Sequence, residues 1–227
     1  MANSGSRELI LERIRAGLKT QIPVPPPMSD EAVIFPPVED PMARFQQECK
    51  TNLMELTITQ DSRESAQQIA TVLNSLPQGE IYVQDAASLR QLIQAVGPTR
   101  TIRWSCDGPP RETDQATISL AEALVAQTGS VFVSAACGGR GISVVAPCHL
   151  VFATTSQLVP DLKTALGNAS RKGLLQSNSF ACMISGSSRT ADIEKTLVTP
   201  AHGPKDIFVF LVDDNKDAEE QTDGMTE

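Results

Sequence analysis

The chain has 227 residues, of which 41% are hydrophobic, 20% are charged and 4% are aromatic, and its formal net charge is −8. This length can bury the core of one α/β domain with appendages. The negative charge argues against binding along a phosphate backbone, and the few aromatic side chains argue against a stacking surface for single-stranded nucleic acid. We therefore expect a globular protein that does not bind nucleic acid.

Residues 1–39 are expected to form an N-terminal arm. Residues 6–19 fit an amphipathic helix, because Ile10, Ile14 and Leu18 recur at intervals of four. Residues 20–39 are rich in proline, which has no N–H to donate, so they are expected to be an extended linker. The arm either docks on a second subunit, which would make a homo-oligomer, or is a mobile terminus.

The start of the chain has no pattern typical of a signal peptide. Charged residues at Arg7, Glu8 and Arg13 interrupt the place where an uninterrupted apolar segment would be needed. No apolar run approaches the roughly 20 residues that span a bilayer. A cytoplasmic location without membrane association is the simplest expectation.

From residue 40 the sequence alternates between helix and strand patterns. Asp40-Pro41 is a typical N-cap and first-turn pair, and Asp61 with Glu64 is typical of a capping box. The pattern predicts helices at 40–50, 61–76 and 86–96, and strands at 53–59, 80–84 and 101–105. Such alternation predicts an α/β fold in which a mainly parallel sheet carries helices on both faces.

The second half of the domain, which we place at residues 40–212, is less regular. Residues 117–126 fit either a strand or a short helix, and residues 156–166 predict a helix with its leucines facing inward. Four further strands are expected, at 130–135, 149–155, 180–184 and 207–212.

The last residues, 213–227, form an acidic tail. They hold seven carboxylates against Lys216 alone, a net charge of −6, which leaves −2 for the rest of the chain. Such a composition predicts a solvated, disordered terminus.

The five cysteines are widely spaced and form no C-x-x-C pair. Together with only two histidines, they match neither a zinc site nor the ligand spacing of an iron–sulfur cluster. Cys148 and Cys182 lie in apolar runs and are expected to pack in the core. We therefore expect no metal and no cofactor held by this chain alone.

The segment Phe180–Glu194 is the most informative one for function. An apolar run is followed by a glycine-containing, hydroxyl-rich turn and then by a helix-compatible stretch. Free amides and one arginine at such a place suit a phosphate or carboxylate. The candidate ligand-binding residues are Ser185, Gly186, Ser187, Ser188, Arg189 and Thr190. The alternative is a capped helix start in which Arg189 pairs with Asp192 or Glu194.

His202 lies in the turn His202-Gly203-Pro204, close in sequence to this loop. It is a candidate catalytic residue, because the pKa of an unperturbed histidine lies near neutrality and the side chain could exchange a proton with a bound anion. A histidine in a turn is more commonly a surface or packing residue. His149, at the start of an apolar strand, is expected to be structural.

The turn Gln127-Thr128-Gly129 precedes a predicted strand and adds a hydroxyl and an amide. These three residues are further candidates for ligand binding.

Two groups of residues carry a family resemblance. Ile184–Glu194 with His202–Pro204 resembles the end of the LUD domain in the lactate utilization protein C family, which is also called LutC or YkgG-like. A less specific similarity covers Ala126–Ser130, His149–Thr155 and Gln157–Pro160. The resemblance implies a fold like that of the NagB/RpiA/CoA-transferase group, an α/β arrangement around a mainly parallel sheet.

In the resembled family the position of Ala126–Gly129 typically reads Ala-Glu-Thr-Gly, whereas this chain has Gln127. The CoA-transferases that share the fold use a carboxylate there as a nucleophile, and an amide cannot form the acyl anhydride. Ligand binding by hydrogen bonds survives the change, but covalent catalysis at residue 127 does not.

The resemblance also implies a role in converting L-lactate to pyruvate together with iron–sulfur partner subunits. Because its cysteines are not clustered, this chain would be the cluster-free accessory component, which binds a small anionic metabolite. Two alternatives stay open. One is a stand-alone sugar-phosphate isomerase or transferase that uses His202, and the other is a purely structural subunit.

Overall fold

The computed structural model of the protein describes residues 4–19, 35–187, 190–191, 197–198 and 203–214. Contacts group the chain into two compact units, Met1–Pro36 and Pro37–Glu227. The described element of the first unit is helix α1 (Ser4–Leu18), whose apolar residues Ile10, Ile14 and Leu18 are exposed. Among the described residues, no helix combines the length and apolarity that crossing a membrane requires.

The second unit contains the remaining helices and all of the described strands. The helices are α2 (Pro41–Thr51), α3 (Ser62–Ser75), α4 (Ala87–Val96), α5 (Leu162–Arg171) and α6 (Leu174–Ser177). The first six strands are β1 (Glu55–Thr59), β2 (Ile81–Val83), β3 (Ile102–Trp104), β4 (Ala116–Leu120), β5 (Ala123–Val125) and β6 (Ser130–Ser134). The others are β7 (Cys148–Thr154), β8 (Leu158–Val159), β9 (Ala181–Ile184), β10 (Thr190–Ala191), β11 (Leu197–Val198) and β12 (Asp206–Val212).

The principal sheet has six strands in the order β1-β12-β7-β4-β2-β3, and every neighbouring pair is parallel. The predicted α/β fold with a mainly parallel sheet is therefore confirmed. Because all six strands run the same way, their carboxyl ends lie along one edge of the sheet, the usual location of ligand sites in open α/β folds.

Helices cover one face of this sheet, as expected, whereas the other face packs mainly on a second sheet. Helices α3 and α4 pack their apolar side chains, such as Ile69 and Leu89, on one face. The opposite face, with Val151 and Val209, packs mainly on a second sheet, ordered β8-β5-β6-β9, and on helix α2. Helices α5 and α6 lie on the far side of this second sheet. The second sheet takes the place of helices because its strands are apolar on both sides, as the fully buried β6 shows.

Two predicted helices are corrected by the structure. The helix expected at 156–166 begins only at Leu162, because Pro160 cannot be accommodated inside a helix and Asp161 caps the next one, with its carboxylate accepting the N–H of Thr164. As a result Leu166, expected to face inward, is exposed. The stretch after the loop 185–189, which is helix-compatible in sequence, begins instead as a strand, since Thr190–Ala191 pairs with Leu197–Val198 as a short antiparallel ladder.

A buried ion pair fixes the loop that follows β3. Arg103 donates through Nη1 to both carboxylate oxygens of Asp114, at 2.9 and 3.0 Å. Asp114 is fully buried and also accepts the N–H of Arg111 at 2.6 Å. Glu80 lies farther away, at 3.8 Å from Nε of Arg103, and is partly exposed. Asp114 is therefore the principal counter-charge of a buried guanidinium.

Replacing Asp114 should destabilise the protein strongly. We expect Asp114→Ala to lower the free energy of unfolding by about 3–5 kcal/mol, because it leaves Arg103 buried without its main partner. Glu80→Ala is the matched control and should cost less than about 1 kcal/mol, since that pair is long and solvated. Urea unfolding followed by circular dichroism measures both, and equal losses would contradict the assignment.

Candidate functional site

The two predicted ligand-binding turns meet in the structure. Strands β6 and β9 are antiparallel with Val131 opposite Ile184, so Ser130, the first residue of β6, and Ser185, the residue after β9, are brought together. A row of hydroxyls joins them, because Thr128 Oγ1 lies 2.6 Å from Ser130 Oγ, which lies 2.6 Å from Ser185 Oγ. Turns that are 55 residues apart in the sequence therefore share one hydrogen-bonded cluster.

The glycines of these turns lie against the end of helix α2. Gly129 and Gly186 both have positive φ, at +59° and +104°. A Cβ on Gly129 would lie 2.5 Å from Cβ of Glu48, and one on Gly186 would overlap the carbonyl oxygen of Asn52. Asn52 also donates its side-chain amide to the carbonyl of Thr128 at 2.9 Å. The two glycines thus allow the end of α2, rather than a ligand, to lie close to the backbone of these turns.

The structure describes the other predicted site residues only in part. Ser188, Arg189 and His202 lie outside the described residues, and of Thr190 only the backbone is described. Among the described residues after the loop, Thr190 and Ala191 are in a strand and offer no helix dipole to an anion, so the hypothesis depends on the loop amides and on Arg189.

Gln127 keeps a side chain that is available to a ligand. Its backbone N–H donates to the carbonyl of Pro160 at 2.9 Å, which holds the turn against the start of α5. Its carboxamide forms no hydrogen bond within the described part of the chain, and the residue is partly exposed. The group that replaces the family's glutamate is therefore free to donate and to accept.

His149 is a core residue. It is fully buried on β7, and Nε2 lies 3.0 Å from Ser119 Oγ on the adjacent strand β4. Burial lowers the pKa of His149 to about 4, so the ring is neutral at physiological pH. Nδ1 has no hydrogen-bond partner among the described residues. The predicted structural role of His149 fits this placement.

Three of the five thiols have the chemistry of buried, packed side chains. Burial raises the pKa of Cys49, Cys137 and Cys148 to about 12 in each case. Cys106 is exposed, and a hydrogen bond with Asp85 is the main cause that raises its pKa. Within the described ranges, no group of three or more His, Cys, Asp or Glu side chains could hold a metal ion.

A cavity of about 260 Å³ lies between the second sheet and helices α5 and α6. Its polar lining includes Glu122, which lies between β4 and β5, Asn168 on α5 and Lys172 just after α5. The sequence patterns did not indicate these residues. Residues 117–126 fit either a strand or a helix, and the helix predicted at 156–166 begins about six residues before α5 does. No pattern therefore indicated that Glu122 and Lys172 share one cavity.

The carboxyl end of β7 holds a carboxylate of the chain itself. Asp214 accepts hydrogen bonds from the Thr155 hydroxyl at 2.5 Å, the Ser156 hydroxyl at 2.6 Å and the Ser156 N–H at 3.0 Å. Partial burial would by itself raise the pKa of Asp214, but the hydrogen bonds from Ser156 and Thr155 outweigh it and lower the pKa to about 2. The first residues of the predicted acidic tail thus dock on the sheet.

The wholly parallel six-stranded sheet, with helices α3 and α4 on one face, defines the protein as a member of the α/β class. A crystal structure of a DUF162 family protein from Deinococcus radiodurans has this fold, with a TM-score of 0.59 and 13% identity over 76% of this chain and 96% of that one. Residues 112–212 match the family described as the LUD domain. Over residues 112–212 the chain is therefore similar to the LUD domain, the family that its motifs resemble.

Similar proteins of known sequence agree with this assignment. An uncharacterized protein of Neisseria meningitidis is 33% identical over 99 residues, which is 43% of this chain and 42% of the relative. Two proteins named lactate utilization protein C are also similar. That of Macrococcus caseolyticus is 31% identical over 43% of each chain, and that of Oceanobacillus iheyensis is 28% identical over 42% of each. The chain thus matches less than half the length of these relatives, and over that part it is similar to proteins named lactate utilization protein C.

The contact between Gly186 and Asn52 can be tested with a matched glycine. Gly139 has a similar φ of +94°, but nothing lies within 4 Å of its Cβ position. Gly139→Ala should cost about 1–2 kcal/mol of unfolding free energy for the backbone strain alone. Gly186→Ala should cost about 1–3 kcal/mol more, because Asn52 must also move. Thermal and urea unfolding compare the two, and similar losses would show that Gly186 is not tightly packed.

The docking of Asp214 should depend on pH. Its pKa is lowered in the folded protein, so its contribution to stability is complete above the unfolded value of about 3.9. That contribution is lost as the pH falls through the folded value of about 2. Urea unfolding of the wild type and of Asp214→Asn should differ by a constant amount above pH ~4 and converge toward pH ~2. A difference that persists at the acid end would contradict the assignment.

Proposed function

We propose that the protein is an accessory component of a system that converts L-lactate to pyruvate. In this role it binds a small anionic metabolite and docks on partner subunits that carry iron–sulfur clusters. The observation that carries the proposal is the LUD domain at residues 112–212, supported by the similarity to two proteins named lactate utilization protein C.

The proposed anion site is the junction of the turns 127–129 and 185–190. The described part supplies the carboxamide of Gln127 and the hydroxyl row that ends at Ser185, which is exposed. These groups donate and accept hydrogen bonds, and the guanidinium of Arg189 supplies the positive charge that a carboxylate needs. His202, which follows this loop in sequence, is proposed as a proton donor to the bound anion.

The chemistry of the chain favours an accessory role. Oxidising lactate to pyruvate removes two electrons, which proteins pass to a cofactor or cluster. The cysteines of this sequence are not spaced for cluster ligation, so we assign electron transfer to a partner subunit. Gln127 has no carboxylate with which to attack a thioester, so we do not assign acyl transfer to this chain either.

Calorimetric titration tests the anion site. We expect L-lactate or pyruvate to bind the wild type, and Arg189→Ala to lower the affinity by at least about tenfold, because a charge-assisted hydrogen bond contributes about 1.5–3 kcal/mol. Arg63→Ala, at an exposed position on α3, is the matched control and should bind as the wild type does. Absence of binding in both the wild type and Arg189→Ala would remove the anion site from the proposal.

The same titration with sugar phosphates distinguishes a stand-alone enzyme from an accessory component. Binding and turnover of a sugar phosphate by the purified chain, abolished in His202→Ala, would favour an isomerase or transferase over an accessory component. Co-purification with a cluster-containing protein that depends on residues 1–39 would support the docking role.

A further inference from the structure

Two opposite charges line the cavity between the second sheet and helices α5 and α6, and they do not pair with each other. Glu122 and Lys172 both line it, yet neither has an ion-pair partner within 4.0 Å in the described part of the chain. We propose that this cavity binds a small zwitterion, an α-amino acid with a short aliphatic side chain, whose ammonium meets Glu122 and whose carboxylate meets Lys172. This site is separate from the anion site of the proposed function.

Glu122 is held in place to receive a cation. It is half-buried, and its Oε1 accepts the hydroxyl of Ser134 at 2.6 Å and the thiol of Cys137 at 3.5 Å. Its Oε2 has no hydrogen bond to any described residue. A carboxylate that is partly removed from water without a counter-charge is stabilised when a cation with N–H donors binds beside it.

Lys172 and Asn168 are the proposed partners of the ligand's carboxylate. They are four residues apart at the end of α5, so they lie on the same side of the helix, one turn apart. Arg171 occupies Oδ1 of Asn168, which leaves Nδ2 as a free donor. An ammonium and an amide N–H together suit a carboxylate. The charge of Lys172 is needed for this, because the carboxyl end of a helix by itself repels anions.

The other polar lining residues act as acceptors or are occupied. Ser156 donates its hydroxyl proton to Asp214 at 2.6 Å, so it can only accept from a molecule in the cavity. Gln157 accepts the N–H of Thr154 and donates one amide N–H to the carbonyl of Ala121, so both ends of its side chain are held in place. The charged donor of the lining is thus Lys172, and the charged acceptor is Glu122.

The rest of the lining is apolar and sets the size of the side chain. It comprises Ala123, Phe132, Val159, Ala165, Ala169 and Leu174. Three of these six are alanines, which leaves a volume of about 260 Å³. That volume holds on the order of nine water molecules, comparable with the eight or so non-hydrogen atoms of an amino acid such as valine. A nucleotide is too large, and an inorganic anion would leave the apolar wall without a partner.

Titration of the full chain with L-valine and two analogues tests the proposal. Isobutylamine lacks the carboxylate and 2-hydroxy-3-methylbutanoate lacks the ammonium, so each should bind at least tenfold more weakly than L-valine. Glu122→Gln, which can still accept from Ser134, and Lys172→Met, which keeps the aliphatic stem, should each weaken L-valine binding at least tenfold. The matched controls Glu112→Gln and Lys163→Met remove charges outside the cavity and should leave the affinity unchanged.

The outcomes separate this site from the anion site. Arg189→Ala should not alter L-valine binding, whereas loss of binding in that variant would assign the ligand to the other site and overturn the proposal. Failure of L-valine to bind the wild type, or equal affinity for the hydroxy acid, would also overturn it. Should either charge variant fail to fold by circular dichroism, discrimination among the three ligands by the wild type decides the question.

Discussion

The central pairing of β7 with β12 and β4 is the constraint on which the rest of the structure depends. Strand β7 is bonded on both sides, with seven residue pairs to β12 and four to β4, and nearly all of its residues are buried. A strand covered on both faces must be mainly apolar, and residues 148–154 are, apart from His149 and the terminal Thr154. Because its neighbours are parallel, the segments after Leu120, Thr154 and Val212 emerge at one edge, where Glu122, Ser156 and Asp214 lie.

The second sheet determines which polar groups are available for binding. It covers the face of the principal sheet that helices were expected to cover, and its own outer face supports α5 and α6. This extra layer creates the cavity that Glu122 and Lys172 line. It also brings the turn at Thr128 to the turn at Ser185, through the antiparallel pairing of β6 and β9. Both proposed binding sites therefore depend on the same four-stranded sheet.

The sequence predicted local structure well where periodicity and caps agreed. Asp40, Asp61 and the leucines of α4 set helix limits that the structure confirms to within one or two residues. The prediction at 156–166 is wrong because the leucine spacing there fits a helix, whereas Pro160 does not fit inside one. The sequence pattern failed at Thr190 because a capping pattern is local, whereas the partner of that short strand lies several residues further along.

The candidate site was predictable only in part, for a similar reason. Turn chemistry pointed to Gln127 and Ser185, and long-range strand pairing does bring their turns together. No local pattern could show that Gly186 abuts Asn52, or that Glu122 and Lys172 line one cavity, because those contacts arise from the stacking of layers.

The hydroxyl row from Thr128 through Ser130 to Ser185 has a directional property. Each hydroxyl carries a single proton, so each of the three can donate only one hydrogen bond at a time. When Ser185 donates to a bound molecule, Ser130 must be the donor to Ser185, and Thr128 must be the donor to Ser130. Occupancy beside Ser185 would therefore fix the orientation of all three hydroxyls.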